Sequence, residues 1–205
     1  MEKTRKRHIL PIVLIVLEGI LFLYPVLKNG LIYGYDYPFH LHRIAALADS
    51  LKNGIFPAKI HPISCNQYGY GVAFFYPDFF LYIPAGLILI GLPLENAVII
   101  YFVLGFVICG SISYFAMEYF FGSRAQAMLG TSLLIGMPLV FHALYIYFSI
   151  GSYLAILFYP AAIVGLLIMI LKDKKKYGAV IYAIGLCGAI LSHSSSFIIL
   201  LGGYC

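Results

Sequence analysis

An all-α, multi-span membrane protein is the fold class this sequence predicts, and three observations predict it. Of its 205 residues, 62% are hydrophobic and only 10% are charged, against roughly 25% charged in an ordinary soluble domain. The mean hydropathy is +0.96. The apolar residues also gather into runs of spanning length, about 20 residues each. Together these exclude a soluble globular enzyme, a disordered tail and a disulfide scaffold. The formal charge of +5 reads first as a topology signal, not as a nucleic-acid surface.

The first span is placed at residues 9–27, behind the basic start MEKTRKRH (1–8). Its apolar run is too long for a signal peptide and no A-x-A site follows, so it stays in the membrane with the N-terminus cytoplasmic. Further spans are expected at 96–121, 125–147, 151–171 and 178–203. Charge sets the sidedness of the cell-membrane topology. Placing KDKKK (172–176) inside puts nine basic residues inside and leaves Lys28, Arg43, Lys52 and Lys59 outside, the expected positive-inside asymmetry. Residues 28–95 then form one large outer loop. Within it, 76–92 carries Asp78 near its start and Pro84 in its middle, so it is read as a half-buried or re-entrant helix. The chain stops at GGYC with no polar tail, as expected of an N-terminal fragment of a longer protein. Cys65, Cys109, Cys187 and Cys205 lack metal spacing and read as small buried hydrophobes. The 18 Tyr residues can form the interfacial belt in the absence of Trp.

The loop holds the polar chemistry. Gly34 and Pro38 place Asp36 on a turn. Beyond it, Leu41, Ile44, Ala45, Ala48 and Leu51 repeat with helical period, and His42, Arg43, Asp49 and Lys52 fall largely on the opposite face. This predicts an amphipathic helix over 39–53, lying on the outer surface and stopped by Gly54. Asp36, His40 and Arg43 lie within eight residues. A carboxylate there could take a proton from an acceptor hydroxyl or hold a divalent cation, Mg or Mn. The neighbouring His and Arg could contact a phosphate. The alternative is a loop carboxylate paired with Arg43 for structure. Further on, Lys59, His61, Tyr70 and Tyr76 lie in a stretch dense in Gly and aromatics, suited to a sugar or lipid path or to an interfacial belt.

Two polar residues fall inside expected spans. Glu18 is read as a helix–helix hydrogen-bonding group or an ion path, and His193, beside Ser192 and Ser194–Ser196, as an interhelical contact or a functional group. Glu118 and Arg124 are expected to pair at the inner interface.

Taken in order, these features resemble the GT-C superfamily of membrane glycosyltransferases, and within it the bacterial group labelled 6-pyruvoyl-tetrahydropterin synthase-related membrane proteins. The resemblance rests on Asp36-Tyr37-Pro38-Phe39-His40 with Arg43, on Gly54 with Phe56-Pro57, on Tyr68-Gly69-Tyr70-Gly71 and Phe75-Tyr76-Pro77, and on Ser192-His193. It implies two juxtamembrane helices, 39–53 and 76–92, in the first outer loop. It also implies transfer of a sugar from a polyprenyl-phosphate donor to an envelope glycan or lipid acceptor, with inversion. Asp36 would be the base or cation ligand and Asp78 a second acid. His40, Arg43, Lys59, His61, Tyr70 and Tyr76 would contact substrate. The stretch 147–153 lacks the Arg-Gly pair and Glu of the group's second outer loop, which marks a degenerate member or half of a site. The competing expectations are a transporter or flippase subunit built on Glu18 and His193, and a structural membrane partner without catalysis.

Overall fold

In the computed structural model, residues 9–172 and 174–202 are described. Among them the chain is all-helical, and extended pairing is limited to one isolated antiparallel bridge between His61 and Tyr70. Among the described residues three helical segments are long and apolar enough to cross a membrane: Leu94–Phe121, Arg124–Tyr147 and Ile150–Leu171. The protein is therefore a helical membrane protein.

The chain enters through α1 (Ile9–Phe22) and the short α2 (Tyr24–Asn29). The loop helix α3 (Tyr37–Lys52) follows, and two 3-10 turns, Val72–Phe74 and Phe79–Leu81, lead into α4 (Tyr82–Leu89). Then come α5 (Leu94–Phe121), α6 (Arg124–Ile135), α7 (Pro138–Phe141) with a π-helical turn at His142–Tyr147, and α8 (Ile150–Leu171). Helices α9 (Lys175–Ser192) and α10 (Ser194–Gly202) complete it.

Several expectations change. The stretch 9–27 is divided at Leu23, where Pro25 opens α2. The stretch 178–203 is divided at His193, whose backbone is extended (φ −159°, ψ 112°). The segment expected as one helix over 76–92 turns through 3-10 geometry after Asp78 and is α-helical only over Tyr82–Leu89. Cys65 and Cys187 are exposed, and Cys109 alone of the described cysteines is buried. The basic start 1–8 and Cys205 lie outside the described residues.

Helix α3 differs most from expectation. Its sequence suggested a surface helix with Arg43 on the polar face. Instead His40, Arg43, Ile44, Leu47 and Ser50 are all buried. The main core joins Ile44 and Leu47 of α3 to Leu81, to Phe102 and Phe106 of α5, and to Tyr153 and Leu154 of α8. A smaller core at the other end gathers Ile15, Tyr114, Met117, Ala127 and Ile168. At that end Arg124 Nε lies 4.0 Å from Glu118 Oε1, as expected of that pair.

Helices α8 and α9 form the most extensive helix pair. Small residues allow it: a Cβ on Gly165 would collide with the backbone of Tyr182, and one on Gly185 with the backbone of Ala162. In lipid, where apolar burial does not drive helices together, such close backbone approach supplies the packing. Gly185→Ala is therefore expected to cost about 1–3 kcal/mol, as overpacking does. Chemical unfolding in detergent micelles measures it, and an unchanged midpoint would disprove the close packing.

Candidate functional site

Arg43 is the centre from which the site is organised. It is 2% exposed, so its charge needs a partner. That partner is Asp78, 35 residues away, which accepts from Arg43 Nη2 in a buried ion pair. Nη2 also donates to the carbonyl of Pro77 at 3.1 Å and to that of Tyr76 at 3.4 Å. The guanidinium lies over the Tyr76 ring, 4.1 Å from its centroid. His61 Nε2 stands 3.4 Å from the other Asp78 oxygen, in full burial. Asp78, Arg43 and His61 thus form one closed cluster pinning the Tyr76–Asp78 turn to α3. The pairing foreseen between Arg43 and Asp36 is not made.

Tyr76 carries this order outward. Its ring meets His40 edge-on at 5.6 Å and His193 at 4.9 Å. Its hydroxyl is bonded to Ser149, while burial pushes its pKa up. A Cβ on Gly151 would lie 2.6 Å from the Ser192 carbonyl and 2.9 Å from the Tyr76 hydroxyl, so glycine is what lets α8, α9 and Tyr76 converge there. Burial, followed by the Arg43 charge and His193, pulls the His40 pKa down to about 3, against the opposing pull of Asp78. His40 is therefore a neutral packing group.

Asp36 stands differently. It precedes α3 but makes no side-chain capping bond. Its backbone N–H donates to Tyr147 O at 2.7 Å and that of Tyr35 to Ile146 O at 3.2 Å, tying the turn to the π-helical segment. Gly34 permits that approach: a Cβ there would meet Ile146 O, Phe148 N and Phe148 Cβ, each at 2.8 Å. Phe148 itself turns through a left-handed conformation, φ +56°. Among the described residues the Asp36 carboxylate has no ion pair and no hydrogen-bond partner.

Asp36 lines a chamber of about 470 Å³ whose polar groups include Tyr76, Tyr147, Ser149, Ser152, His142 and His193, set among the apolar Leu139, Ala143, Ile156 and Ile199. The break between α9 and α10 puts His193 there. His193 Nδ1 accepts from Ser196 N–H (3.2 Å) and lies 2.7 Å from Ser196 Oγ and 3.3 Å from Ser152 Oγ. The Ser196 N–H assigns Nδ1 as the acceptor, leaving the proton on Nε2. His193 thus caps α10 in its neutral form. Tyr76 also lines a second cavity, about 700 Å³, walled by Phe56, Phe74, Phe75, Phe79 and Phe80, with Lys59 and Asp78 as its charged lining residues.

The expected site residues therefore separate. Asp36, Tyr76 and His193 meet in the polar chamber. Lys59 belongs to the aromatic cavity. Arg43, Asp78 and His61 form the buried cluster, in which Asp78, expected as a second acid, is 7% exposed and is the ion-pair partner of Arg43. Tyr70 is 42% exposed and lines neither cavity. Glu18 lies elsewhere, accepting from Ser132 Oγ at 2.6 Å, a helix–helix hydrogen bond. Sequence reasoning placed Ser196 beside His193 but missed Tyr147, Ser149 and Ser152; the signal was hydroxyl side chains recurring between apolar runs. The expected divalent cation finds a thin donor set. Asp36 is the chamber's one carboxylate, and no group of three His, Cys, Asp or Glu among the described residues could hold a metal. These residues do not fit a protein-held divalent ion.

Fold and site define a helical membrane protein with a polar chamber and an adjoining aromatic cavity. The chain belongs to the DUF6541 family, a family of unknown function, whose model matches residues 2–203. No curated protein and no solved structure matches it.

Two tests follow from the cluster. Arg43→Met leaves Asp78 charged and buried, which costs about 3–5 kcal/mol. Arg43→Met with Asp78→Leu is expected to recover much of that in equilibrium unfolding; a double variant as unstable as the single one would refute the pairing. His40 has a folded pKa below its unfolded 6.5, so protonation favours the unfolded chain. Its contribution is complete above pH 6.5 and is lost as pH falls toward 3. His40→Gln should flatten the stability profile across that window.

Proposed function

We propose that this protein is a GT-C-like membrane glycosyltransferase of the cell envelope. It takes a sugar from a polyprenyl-phosphate donor at the outer membrane face and passes it to a glycan or lipid acceptor. The observation that carries this reading is Asp36: a carboxylate with no partner among the described residues, set with serine and tyrosine hydroxyls and two imidazoles in an otherwise apolar chamber that shares Tyr76 with an aromatic cavity. A site that joins an amphiphile to a polyhydroxyl compound needs both environments side by side.

In this reading the acceptor occupies the hydroxyl-lined chamber. Asp36 accepts the proton of the acceptor hydroxyl as its oxygen bonds to the anomeric carbon. The bond from that carbon to the donor phosphate oxygen breaks, and polyprenyl phosphate leaves with both bonding electrons. Attack from the opposite face inverts the centre. The aromatic cavity takes the apolar part of the donor, and Lys59 at its edge supplies charge for the phosphate. Arg43, Asp78 and His61 are positioning residues that hold Tyr76. The cytoplasmic N-terminus and outward chamber rest on the positive-inside asymmetry.

The helix break at His193 also suits a transporter, where polar groups line interrupted helices at mid-membrane. A transport core of Glu18 with His193 is disfavoured, because Glu18 bonds Ser132 and lies outside the chamber.

The test is an envelope-glycan profile of a strain lacking the gene, complemented with wild type or with Asp36→Asn at matched membrane abundance. Wild type is expected to restore a missing sugar, and the variant to reduce it by about a hundredfold or more, the usual scale of a lost general base. Equal restoration by both would sink the assignment of Asp36. An unchanged profile in the deletion strain would favour transport.

A further inference from the structure

The charge of the chamber is more informative than its shape. Its lining includes the Asp36 carboxylate and contains neither lysine nor arginine. Arg43 is paired with Asp78 and lies over the Tyr76 ring. His193 adds no positive charge, because its Nδ1 lone pair faces the Ser196 backbone N–H. Asp36 is the one carboxylate in that lining, beside the imidazoles of His142 and His193, and low-dielectric walls concentrate the field of such a charge. Such a site repels a phosphate.

The surroundings of Asp36 suit an organic cation. Tyr147 lies against it through the backbone bond Asp36 N–H to Tyr147 O (2.7 Å), and the Tyr147 ring pairs with Tyr35 at 5.6 Å and with His142 at 4.9 Å. Tyr76 closes another side. Aromatic faces beside a carboxylate attract an ammonium group by its charge and by its affinity for the ring quadrupole. Ser149 and Ser152 offer hydroxyls to a polar ligand.

We propose that the Asp36 chamber binds a vicinal amino alcohol, with the ligand ammonium on one Asp36 oxygen and the neighbouring hydroxyl on the other. A 2-amino sugar and an ethanolamine group share this chemistry. The inference deepens the transferase reading by naming the acceptor class, and it rests on that reading only for the reaction, not for binding.

The test uses the purified full-length protein in lipid nanodiscs and reads ligand binding by saturation-transfer NMR. The probes are glucosamine, N-acetylglucosamine, glucose, ethanolamine and magnesium ion alone. Glucosamine or ethanolamine is expected to bind about tenfold more tightly than N-acetylglucosamine or glucose, the scale of one charge-assisted hydrogen bond. Whichever of the two binds tighter identifies the source of the amine. Asp36→Asn should bring the amine-to-acetamide ratio to about one, and Asp36→Glu should keep it above one. Equal binding of amine and acetamide by wild type overturns the proposal, and this needs no variant to fold. So does a preference that survives Asp36→Asn, or binding of magnesium that displaces the amines. If Asp36→Asn abolishes glycan restoration while wild type shows no amine preference, this inference fails and the transferase reading stands. If the amine preference holds and both proteins restore the glycan, the reverse is true.

Discussion

A guanidinium buried to 2% exposure cannot remain without a counter-charge, and meeting that need shapes the whole loop end of this protein. Arg43 recruits Asp78 from 35 residues away, binds the carbonyls of Tyr76 and Pro77, and stacks on the Tyr76 ring. One side chain thereby fastens α3 to the turn before α4. Tyr76, held at that point, becomes the wall between the polar chamber and the aromatic cavity. The ion pair need not add net stability over a hydrophobic replacement; what it supplies here is a unique placement.

With Arg43 committed to Asp78, Asp36 is left without a partner among the described residues. Its turn is set by backbone bonds to the π-helical segment and by the close approach at Gly34, so its carboxylate is free of a capping duty. Two acids that the sequence made look alike thus take different places in the structure. The buried one organises and the partly exposed one faces the chamber. The break at His193 serves the same chamber, because a continuous helix from α9 to α10 would not turn Ser196 N–H onto the imidazole.

How much of this was legible differs by element. Composition and hydropathy placed the three long apolar helices within a residue or two of Leu94–Phe121, Arg124–Tyr147 and Ile150–Leu171, because lipid demands long uninterrupted apolar runs. The loop helix was visible in its period, and Asp36 in its turn residues. The face that α3 buries was not visible. Arg43 reads as polar by residue type, and only a carboxylate distant in sequence reverses that. The breaks at Leu23 and His193 were also hidden, since hydropathy averages over them.

The sequence by itself determined the class of protein, the approximate extents of its long helices and the loop in which its charges gather. These depend on local composition and on the solvent the chain must meet. Tertiary structure alone decided which acid is spent on structure and which is left open, and that His193 of the last segment shares a chamber with Asp36 of the first loop. Those outcomes depend on which charges come within reach once the helices pack, and pairing across 35 residues or more leaves no periodic trace in the chain.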